Sequence, residues 1–194
     1  MNTPDLQSYL RADDLSKNIH QQGANKVSIF QRIRVSKILK ELREKEFAHF
    51  HNRESEHDRK ERMKLTNAVL VTIFEHMPMS SDTRRNLRVP YTVMIKAKIE
   101  NQTTELESFD LGLRGICIKP LPQLTLELPV TLEMSLKQKT GLLGNYKDIH
   151  RDIGGVVTWF NESEKRLGIE FNNTTDQDLS LIWDTIEFVV RSRC

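Results

Sequence analysis

Neither glycine nor proline occurs between Gly23 and Pro78, and this gap constrains the fold more than any other feature of the sequence. Both residues disfavour the interior of a helix, so their absence from a stretch rich in charged helix formers predicts helical structure there. From Pro90 onward, β-branched residues alternate with polar ones, which is typical of strands. The sequence therefore predicts an α+β chain, with a mobile N-terminus and helical extension in residues 1–80 and a β domain in residues 81–194.

Two apolar stripes with helical spacing mark the helices of the extension. The first stripe consists of Val35, Ile38, Leu39 and Leu42, and the second of Leu65, Val69, Leu70, Ile73, Phe74 and Met77. The second stripe covers about half of the helix surface, which suits either packing on the rest of the chain or self-association. Between the stripes, residues 51–62 contain no apolar side chain. Such a segment is either a solvated bridge in one long helix or the bend of a helical hairpin, and the sequence leaves both open.

Alternating patterns predict several short strands in the second half of the chain. Apolar residues occupy every second position in residues 91–99, 130–136 and 167–171, and residues 156–160 supply a hairpin partner for the last of these. A Thr-x-x-Asp capping pattern that begins at Thr175 precedes an amphipathic helix. Short strands closed by one helix predict a small antiparallel β-barrel with a C-terminal helix.

Charge and cysteine content exclude several functional classes. The chain has 29 Lys and Arg against 27 Asp and Glu, a net charge of +2, which does not suit a DNA-binding or RNA-binding protein. Its longest apolar run, Ala68–Phe74, is too short for a membrane span, and its acidic N-terminus lacks the pattern of an export signal. The two cysteines, Cys117 and Cys194, cannot form a disulfide framework, so we expect a cytoplasmic protein.

The histidines and cysteines form no recognisable constellation for catalysis or metal binding. His49 and His51 are two positions apart, which on a helix places them on opposite faces, so they cannot chelate one ion. Cys117 lies between two isoleucines and is interpreted as a small buried apolar residue rather than a nucleophile paired with His150. No glycine spacing matches a phosphate-binding loop. We therefore expect no catalytic residues, no metal and no cofactor, in a protein that is not an enzyme.

The most informative stretch is a basic cluster of Arg84, Arg85 and Arg88 directly before the first predicted strand. Guanidinium groups bind phosphate oxygens, or the O6/N7 edge of guanine, through paired hydrogen bonds, and they stack on flat purines. On its own, the cluster is better interpreted as a solvated charge run. Its interpretation depends on a second motif.

That second motif, Asp-Leu-Gly-Leu-Arg-Gly, follows one strand later in the sequence. Together the two motifs resemble the PilZ domain family of bacterial receptors for cyclic di-GMP, whose pattern is Arg-x-x-x-Arg followed by Asp/Asn-x-Ser-x-x-Gly. Arg84 and Arg88 match the first part, and Asp110 and Gly115 match the ends of the second. The later order of strand, turn, strand and helix is also similar to this family, so the resemblance covers about residues 83–190.

The resemblance implies a PilZ-like barrel, cyclic di-GMP as the ligand, and a non-enzymatic role in motility, adhesion, biofilm formation or virulence. The implied ligand-binding residues are Arg84, Arg85, Arg88, Asp110, Gly112 and Gly115. In this interpretation the arginines bind phosphate and guanine, the carboxylate accepts hydrogen bonds from guanine N–H groups, and the two glycines shape the loop. Ligand binding would order residues 84–88, the arginine segment, reorient the N-terminal helices and alter an unidentified protein partner.

Gly112 departs from the family pattern, which has serine at this position. The missing hydroxyl removes a hydrogen bond worth about 0.5–1.5 kcal/mol, whereas each arginine contact contributes about 1.5–3 kcal/mol. The alternative hypothesis is a degenerate PilZ scaffold that binds no nucleotide and acts through protein contacts or through self-association of the N-terminal helices. The sequence leaves open the partner, the oligomeric state, and whether one site holds one or two nucleotides.

Overall fold

The computed structural model describes four stretches of the chain: residues 29–74, 86–100, 102–141 and 145–193. Side chains are described throughout these stretches except at residues 29–32 and 71–74. The mobile N-terminus that the sequence predicts lies outside the described residues, as does Met77 of the second apolar stripe. The chain divides into two compact units, a helical unit that extends to Asn86 and takes in Arg193, and a sheet unit, Leu87–Ser192.

The described part of the helical unit contains α1 (Ile29–Phe50) and α2 (Glu56–Phe74). The Lys45 ammonium, near the end of α1, lies 3.1 Å from Asp58 Oδ1 and 2.5 Å from Glu61 Oε2, both near the start of α2. Contacts of this kind join the end of one helix to the start of the next, so the two helices form an antiparallel hairpin.

The bend of this hairpin occupies residues 51–55, which decides between the two interpretations of the polar segment. Asn52 has a positive φ of 56°, and its N–H donates to the His49 carbonyl at 3.1 Å. The N–H of Arg53 donates to the Ala48 carbonyl at 2.8 Å, which completes the hydrogen-bond pattern of a Schellman C-cap. Ser55 then caps α2, because its Oγ accepts a hydrogen bond from the Asp58 N–H at 3.1 Å.

The hairpin has an apolar core formed by the predicted stripes. Its buried side chains are those of Val35, Leu39, Leu42, Leu65, Val69 and Leu70. Isolated helices of 22 and 19 residues are only marginally stable in water. Full burial of a leucine or valine side chain contributes about 1.5–3 kcal/mol, so the six buried side chains supply the stability that the helices lack alone. No helix in the described parts of the chain is both long enough and apolar enough to cross a bilayer.

Within the residues that the structure describes, the sheet unit contains seven antiparallel strands and one helix. The strands are β1 (Arg88–Pro90), β2 (Met94–Ile99), β3 (Gln102–Gly112), β4 (Gly115–Ile118), β5 (Pro129–Thr140), β6 (Asn145–Asn161) and β7 (Arg166–Phe171). They are hydrogen-bonded in the order β1-β3-β2-β5-β6-β7-β4, and β4 also pairs with β3. The second pairing of β4 closes six strands into a ring, which gives the small antiparallel barrel that the sequence predicts.

β1 lies outside this ring and pairs with the end of β3. The buried Ser108 of β3 holds the bend between β1 and β2, since its Oγ donates to the Tyr91 carbonyl and accepts from the Val93 N–H at 3.1 Å. Arg88, the last residue of the first motif, is thereby brought alongside the second motif, at the C-terminal end of β3.

The core of the sheet unit is formed by alternate residues of the strands and by one face of α3 (Asp176–Ser192), which packs mainly against β5. Ile182, Trp183 and Ile186 of this helix are all buried. The predicted capping pattern is confirmed, because the Thr175 N–H donates to Asp178 Oδ2 at 3.0 Å and the Asp178 N–H donates to Thr175 Oγ1 at 3.2 Å.

α3 also covers a free edge of β5. Beyond the short pairing of β5 with β2, the Lys137 N–H donates to Thr185 Oγ1 at 2.8 Å and the Lys139 N–H donates to Asp184 Oδ2 at 2.9 Å. Two side chains of the helix therefore take the hydrogen bonds that another strand would make.

Candidate functional site

The two sequence motifs meet in an ion pair between Arg88 and Asp110. The backbone pairing of β1 with β3 sets Arg88 opposite Gly112 and Pro90 opposite Asp110. The Arg88 Nη1 donates to Asp110 Oδ1 at 2.8 Å, and the two side chains are 28% and 21% exposed. Arg88 begins β1 and Asp110 lies near the end of β3. Both charged groups are accessible to solvent.

A β-bulge at Phe109 precedes Asp110. Ser108 pairs with Ile118 of β4 and Asp110 pairs with Cys117, so Phe109 is an extra residue on β3. Bulges re-aim the side chains next to them and are common beside binding sites. No periodicity in the sequence signals this bulge, which sets the direction of Asp110.

Gly112 makes room for the Arg88 side chain. A Cβ built on Gly112 would lie 3.0 Å from Arg88 Cγ and 3.1 Å from the carbonyl oxygen of Leu87, which is tighter than ordinary side-chain contacts. The absence of a side chain at this position lets the aliphatic part of Arg88 cross the strand on its way to Asp110. Gly112 therefore loses the family hydroxyl and at the same time accommodates the arginine of the first motif.

Gly115 is required by close packing of two strands. A Cβ on Gly115 would overlap the carbonyl oxygen of Ile169 on β7, the neighbouring strand. Among the described glycines only Gly141 has a positive φ, so close approach rather than an unusual backbone angle explains the glycine at position 115. This residue brings β4 against β7 and thereby supports the floor of the site.

A row of paired residues extends the site across four strands. Asp110 pairs with Cys117, Cys117 with Gly168, and Gly168 with Trp159. Directly paired residues of antiparallel strands project to the same face, so these four share one face of the ring. The indole of Trp159 occupies the place of a side chain on Gly168, and it is 39% exposed. The row spans about 14 Å, three strand spacings, and has an acidic end and an aromatic end.

Arg166 and Phe109 are two further residues of this face that sequence reasoning missed. The Arg166 guanidinium lies 5.3 Å from the centre of the Phe109 ring, within the range of a cation–π contact. Arg166 is two positions before Gly168 on β7 and so projects to the same side. Arg166 could have been found only from the pairing of β7 with β4. No pattern in the sequence reveals that pairing.

Cys117 lies in the middle of this row and is almost fully buried. Burial raises the pKa of the Cys117 thiol to about 11, and the neighbouring Asp110 carboxylate acts in the same direction. The thiol is therefore protonated at neutral pH and unsuited to nucleophilic attack. His150 pairs with Ser135 of β5, whereas Cys117 on β4 pairs with β3 and β7, so the register does not bring the histidine to the cysteine.

Two predicted ligand-binding residues, Arg84 and Arg85, lie outside the described residues. The structure brings together the other four, Arg88, Asp110, Gly112 and Gly115. His49 Nδ1 lies 2.7 Å from Glu54 Oε2, and the His51 ring packs edge-on against Phe50, so the two histidines have separate contacts. In the part of the chain that the structure describes, no three His, Cys, Asp or Glu side chains are grouped to hold a metal ion.

Comparison with protein families matches the sequence profile of the PilZ domain to residues 82–188. This match begins just before the arginine cluster, includes every strand of the sheet unit, and ends within α3. A comparison with curated proteins gives no match.

Solved structures that are similar to this chain include an inhibitor of motility and two PilZ domains. The Bacillus subtilis inhibitor of motility, MotI/DgrA, is 14% identical with a TM-score of 0.44; the match covers 61% of this chain and 59% of that protein. The PilZ domain of CeSA, from a cellulose-synthesizing bacterium, is 16% identical with a TM-score of 0.36, and the match covers 53% of this chain and 93% of that one. The PilZ domain of Escherichia coli YcgR, with cyclic di-GMP, is 16% identical with a TM-score of 0.39, and the match covers 57% of this chain and 94% of that one.

Proposed function

The chain belongs to the PilZ domain family, and we propose that it is a non-enzymatic bacterial effector that binds cyclic di-GMP and changes the contacts of its helical hairpin with a protein partner. The observation that carries this proposal is the ion pair of Arg88 and Asp110. The two residues are far apart in sequence, come from the two motifs, and meet on a partly exposed face. The nucleotide is a ligand in this proposal and not a cofactor.

In the absence of ligand, Arg88 and Asp110 make with each other the kind of contact that each would make with the nucleotide. Arg88 donates to phosphate oxygens or to guanine O6 and N7, and Asp110 accepts from guanine N–H groups; without a nucleotide, each satisfies the other. A partly exposed pair of this kind contributes about 0–1 kcal/mol, whereas a hydrogen bond to a charged group contributes about 1.5–3 kcal/mol. Exchange of the internal pair for ligand contacts is therefore favourable.

The remaining residues complete the ligand site. Arg84 and Arg85 bind the second phosphate or stack on a base, because three guanidinium groups suit a ligand with two anionic phosphates. Gly112 and Gly115 keep the floor of the site flat, and Trp159 offers a ring for stacking at the far end of the row. Asp110 confers selectivity for guanine, since adenine does not present the same N–H donors.

The helical hairpin carries the response in this proposal. The arginine segment joins the helical unit to the sheet unit, so a nucleotide that binds its guanidinium groups redirects the chain that leads to α2. The partner would bind the hairpin in the cytoplasm, where a thiol such as that of Cys117 stays reduced. Motility and biofilm formation are the processes in which we expect such an effector to act.

Isothermal titration of the full chain with cyclic di-GMP tests the proposal, with cyclic di-AMP as the control for guanine recognition. We expect saturable binding of the guanine nucleotide only, and a loss of about tenfold to a hundredfold in affinity for Arg88→Ala. Arg59→Ala removes the same charge from an exposed position on α2 and is the matched control. Equal affinities for Arg88→Ala and Arg59→Ala would contradict the proposed site.

A second candidate function is favoured by Gly112, which leaves the site without the family hydroxyl. In this case the domain binds no nucleotide and acts through protein contacts, for which the exposed Trp159 and Phe160 provide apolar surface. Titration of Gly112→Ser discriminates between the two functions. Binding by Gly112→Ser but not by the natural chain would identify a site that lost its ligand through this residue. Light scattering after size exclusion would then show whether the chain self-associates.

A further inference from the structure

Arg62 of α2 is the most deeply buried charged side chain among the described residues, at 1% exposure. Its Nε lies 2.5 Å from Glu54 Oε1 and its Nη2 lies 3.2 Å from Glu54 Oε2, so one carboxylate binds one edge of the guanidinium. Glu46 of α1, which is also buried, approaches Nη1 at 3.6 Å. The guanidinium plane is therefore fixed relative to both helices of the hairpin.

The fixed guanidinium also binds the chain that leads into the candidate site. Its Nη1 donates to Asn86 Oδ1 at 3.1 Å. A guanidinium is planar and can only donate, so Asn86 must present its amide oxygen in a set direction. Asn86 is held to α2 although the two residues are 24 positions apart in the sequence.

Asn86 occupies the junction of the two units. It is the last residue of the continuous stretch of the helical unit, and Leu87, at 1% exposure, belongs to the core of the sheet unit. Arg88 follows directly and begins β1. The contact from Arg62 thus restrains the chain two residues before the arginine that reaches Asp110.

We propose that Arg62 and Asn86 are positioning residues for ligand binding: through their hydrogen bond, the hairpin sets the path of the chain from Asn86 into Arg88, and a bound nucleotide in turn stabilises the hairpin. This inference rests on the proposed binding of cyclic di-GMP. Neither residue has to touch the nucleotide. Arg62 acts through Asn86, and Asn86 acts through the backbone that leads by way of Leu87 to Arg88.

The hydrogen bond and nucleotide binding must affect each other equally, and this can be measured. If the hydrogen bond favours the conformation that binds nucleotide, then nucleotide binding must favour the hydrogen bond by the same factor. If the hydrogen bond served only the stability of the hairpin, its loss would lower the protection of the hairpin from hydrogen exchange. The effect of the nucleotide on that protection would then be unchanged. The two roles are therefore separable by experiment.

Asn86→Ala tests the proposal, because it removes the acceptor while leaving Arg62 with both carboxylates. Asn67→Ala, an identical change on the exposed surface of α2, is the matched control. Asn86→Asp keeps an acceptor oxygen at the same reach and serves as the rescue variant in ligand-free measurements. The readouts are titration with cyclic di-GMP and hydrogen exchange of the α2 amides, each with and without the nucleotide.

For Asn86→Ala we expect a three- to tenfold loss of affinity and the loss of the nucleotide-dependent gain in α2 protection. Without nucleotide, Asn86→Asp should retain the natural protection of α2, whereas Asn86→Ala should exchange faster than the natural chain. If Asn86→Ala matches Asn67→Ala in affinity, or matches the natural chain in ligand-free exchange, the positioning role is wrong. Failure of the natural chain to bind cyclic di-GMP would overturn the proposed function, and ligand-free exchange would still decide whether Asn86 holds the hairpin.

Discussion

Two arginines of this chain pair with carboxylates in opposite ways, one in the helical hairpin and one on the face of the sheet. Arg62 is 1% exposed and is held by Glu54, Glu46 and Asn86. Arg88 is 28% exposed and pairs with Asp110 through a single hydrogen bond. The same kind of ion pair is thus buried in the helical unit, where it joins parts of the hairpin, and partly exposed in the sheet unit, where solvent can reach both charges.

The difference teaches how burial decides the role of a charge. Removal of one partner from a buried ion pair leaves an uncompensated charge away from water, which costs about 3–5 kcal/mol. A partly exposed pair regains hydration when it opens, so that its net contribution is about 0–1 kcal/mol. Only the second kind of pair can give up its partner to a ligand at little cost.

The largest expected effect follows directly from this comparison. Arg62→Ala takes the guanidinium away from the buried carboxylates of Glu46 and Glu54, and we expect a loss of about 3–5 kcal/mol in the free energy of unfolding. Arg88→Ala is the counterpart on the sheet, where we expect a loss below about 1 kcal/mol. Urea denaturation of both variants, followed by circular dichroism, gives the comparison. Equal losses would show that burial does not separate the two arginines.

A smaller effect is expected within the sheet face, between its two motif glycines. The Cβ of Gly115→Ala would overlap a backbone carbonyl, and overpacking of this kind costs about 1–3 kcal/mol. For Gly112→Ala the nearest atom, at 3.0 Å, belongs to the flexible side chain of Arg88, so we expect a smaller loss. Thermal unfolding of the two variants measures the difference. A larger loss for Gly112→Ala would mean that Arg88 is held more rigidly than its exposure indicates.

The smallest expected effect concerns the pH dependence of the hairpin. The Ser55 hydroxyl and the Lys45 ammonium hold the pKa of Asp58 down to about 2, from an ordinary value of 3.8. A carboxyl whose pKa is lower in the folded chain stabilises it when ionised, so this contribution is present above about pH 4 and lost as the pH falls toward about 2. The urea midpoint of the hairpin should therefore decrease over this range.

Ser55→Ala removes the largest cause of the low pKa of Asp58 and should make that decrease shallower. Ser163→Ala, in the turn after β6, removes a hydroxyl from the other unit and should leave the pH dependence unchanged. If Ser55→Ala gives a curve parallel to that of the natural chain, then Ser55 does not determine the ionisation of Asp58.

Much of the fold could be predicted because it depends on local patterns. The gap without glycine or proline indicated the helices, alternation indicated the strands, and the capping pattern at Thr175 marked the start of α3. The burial of Arg62 could not be predicted. It lies in a segment without apolar residues that suited a solvated surface, and only the pairing of two helices brings Glu46 to it.

The candidate site was predictable only where it consists of motifs. Arg88, Asp110, Gly112 and Gly115 were found by their spacing, and the structure brings them together. Phe109, Trp159 and Arg166 were missed because their positions depend on a bulge and on strand register. Register joins residues that are distant in sequence, so no local pattern encodes it.

The cover that α3 provides for β5 has a consequence for the chain as a polymer. The N–H groups of Lys137 and Lys139 would otherwise form part of an open template on which a β-strand of another molecule could add. Two short side chains, those of Thr185 and Asp184, cover this stretch of β5. A chain cut before Asp176 would lose both, and this stretch of β5 would be open to pairing with a strand of another molecule.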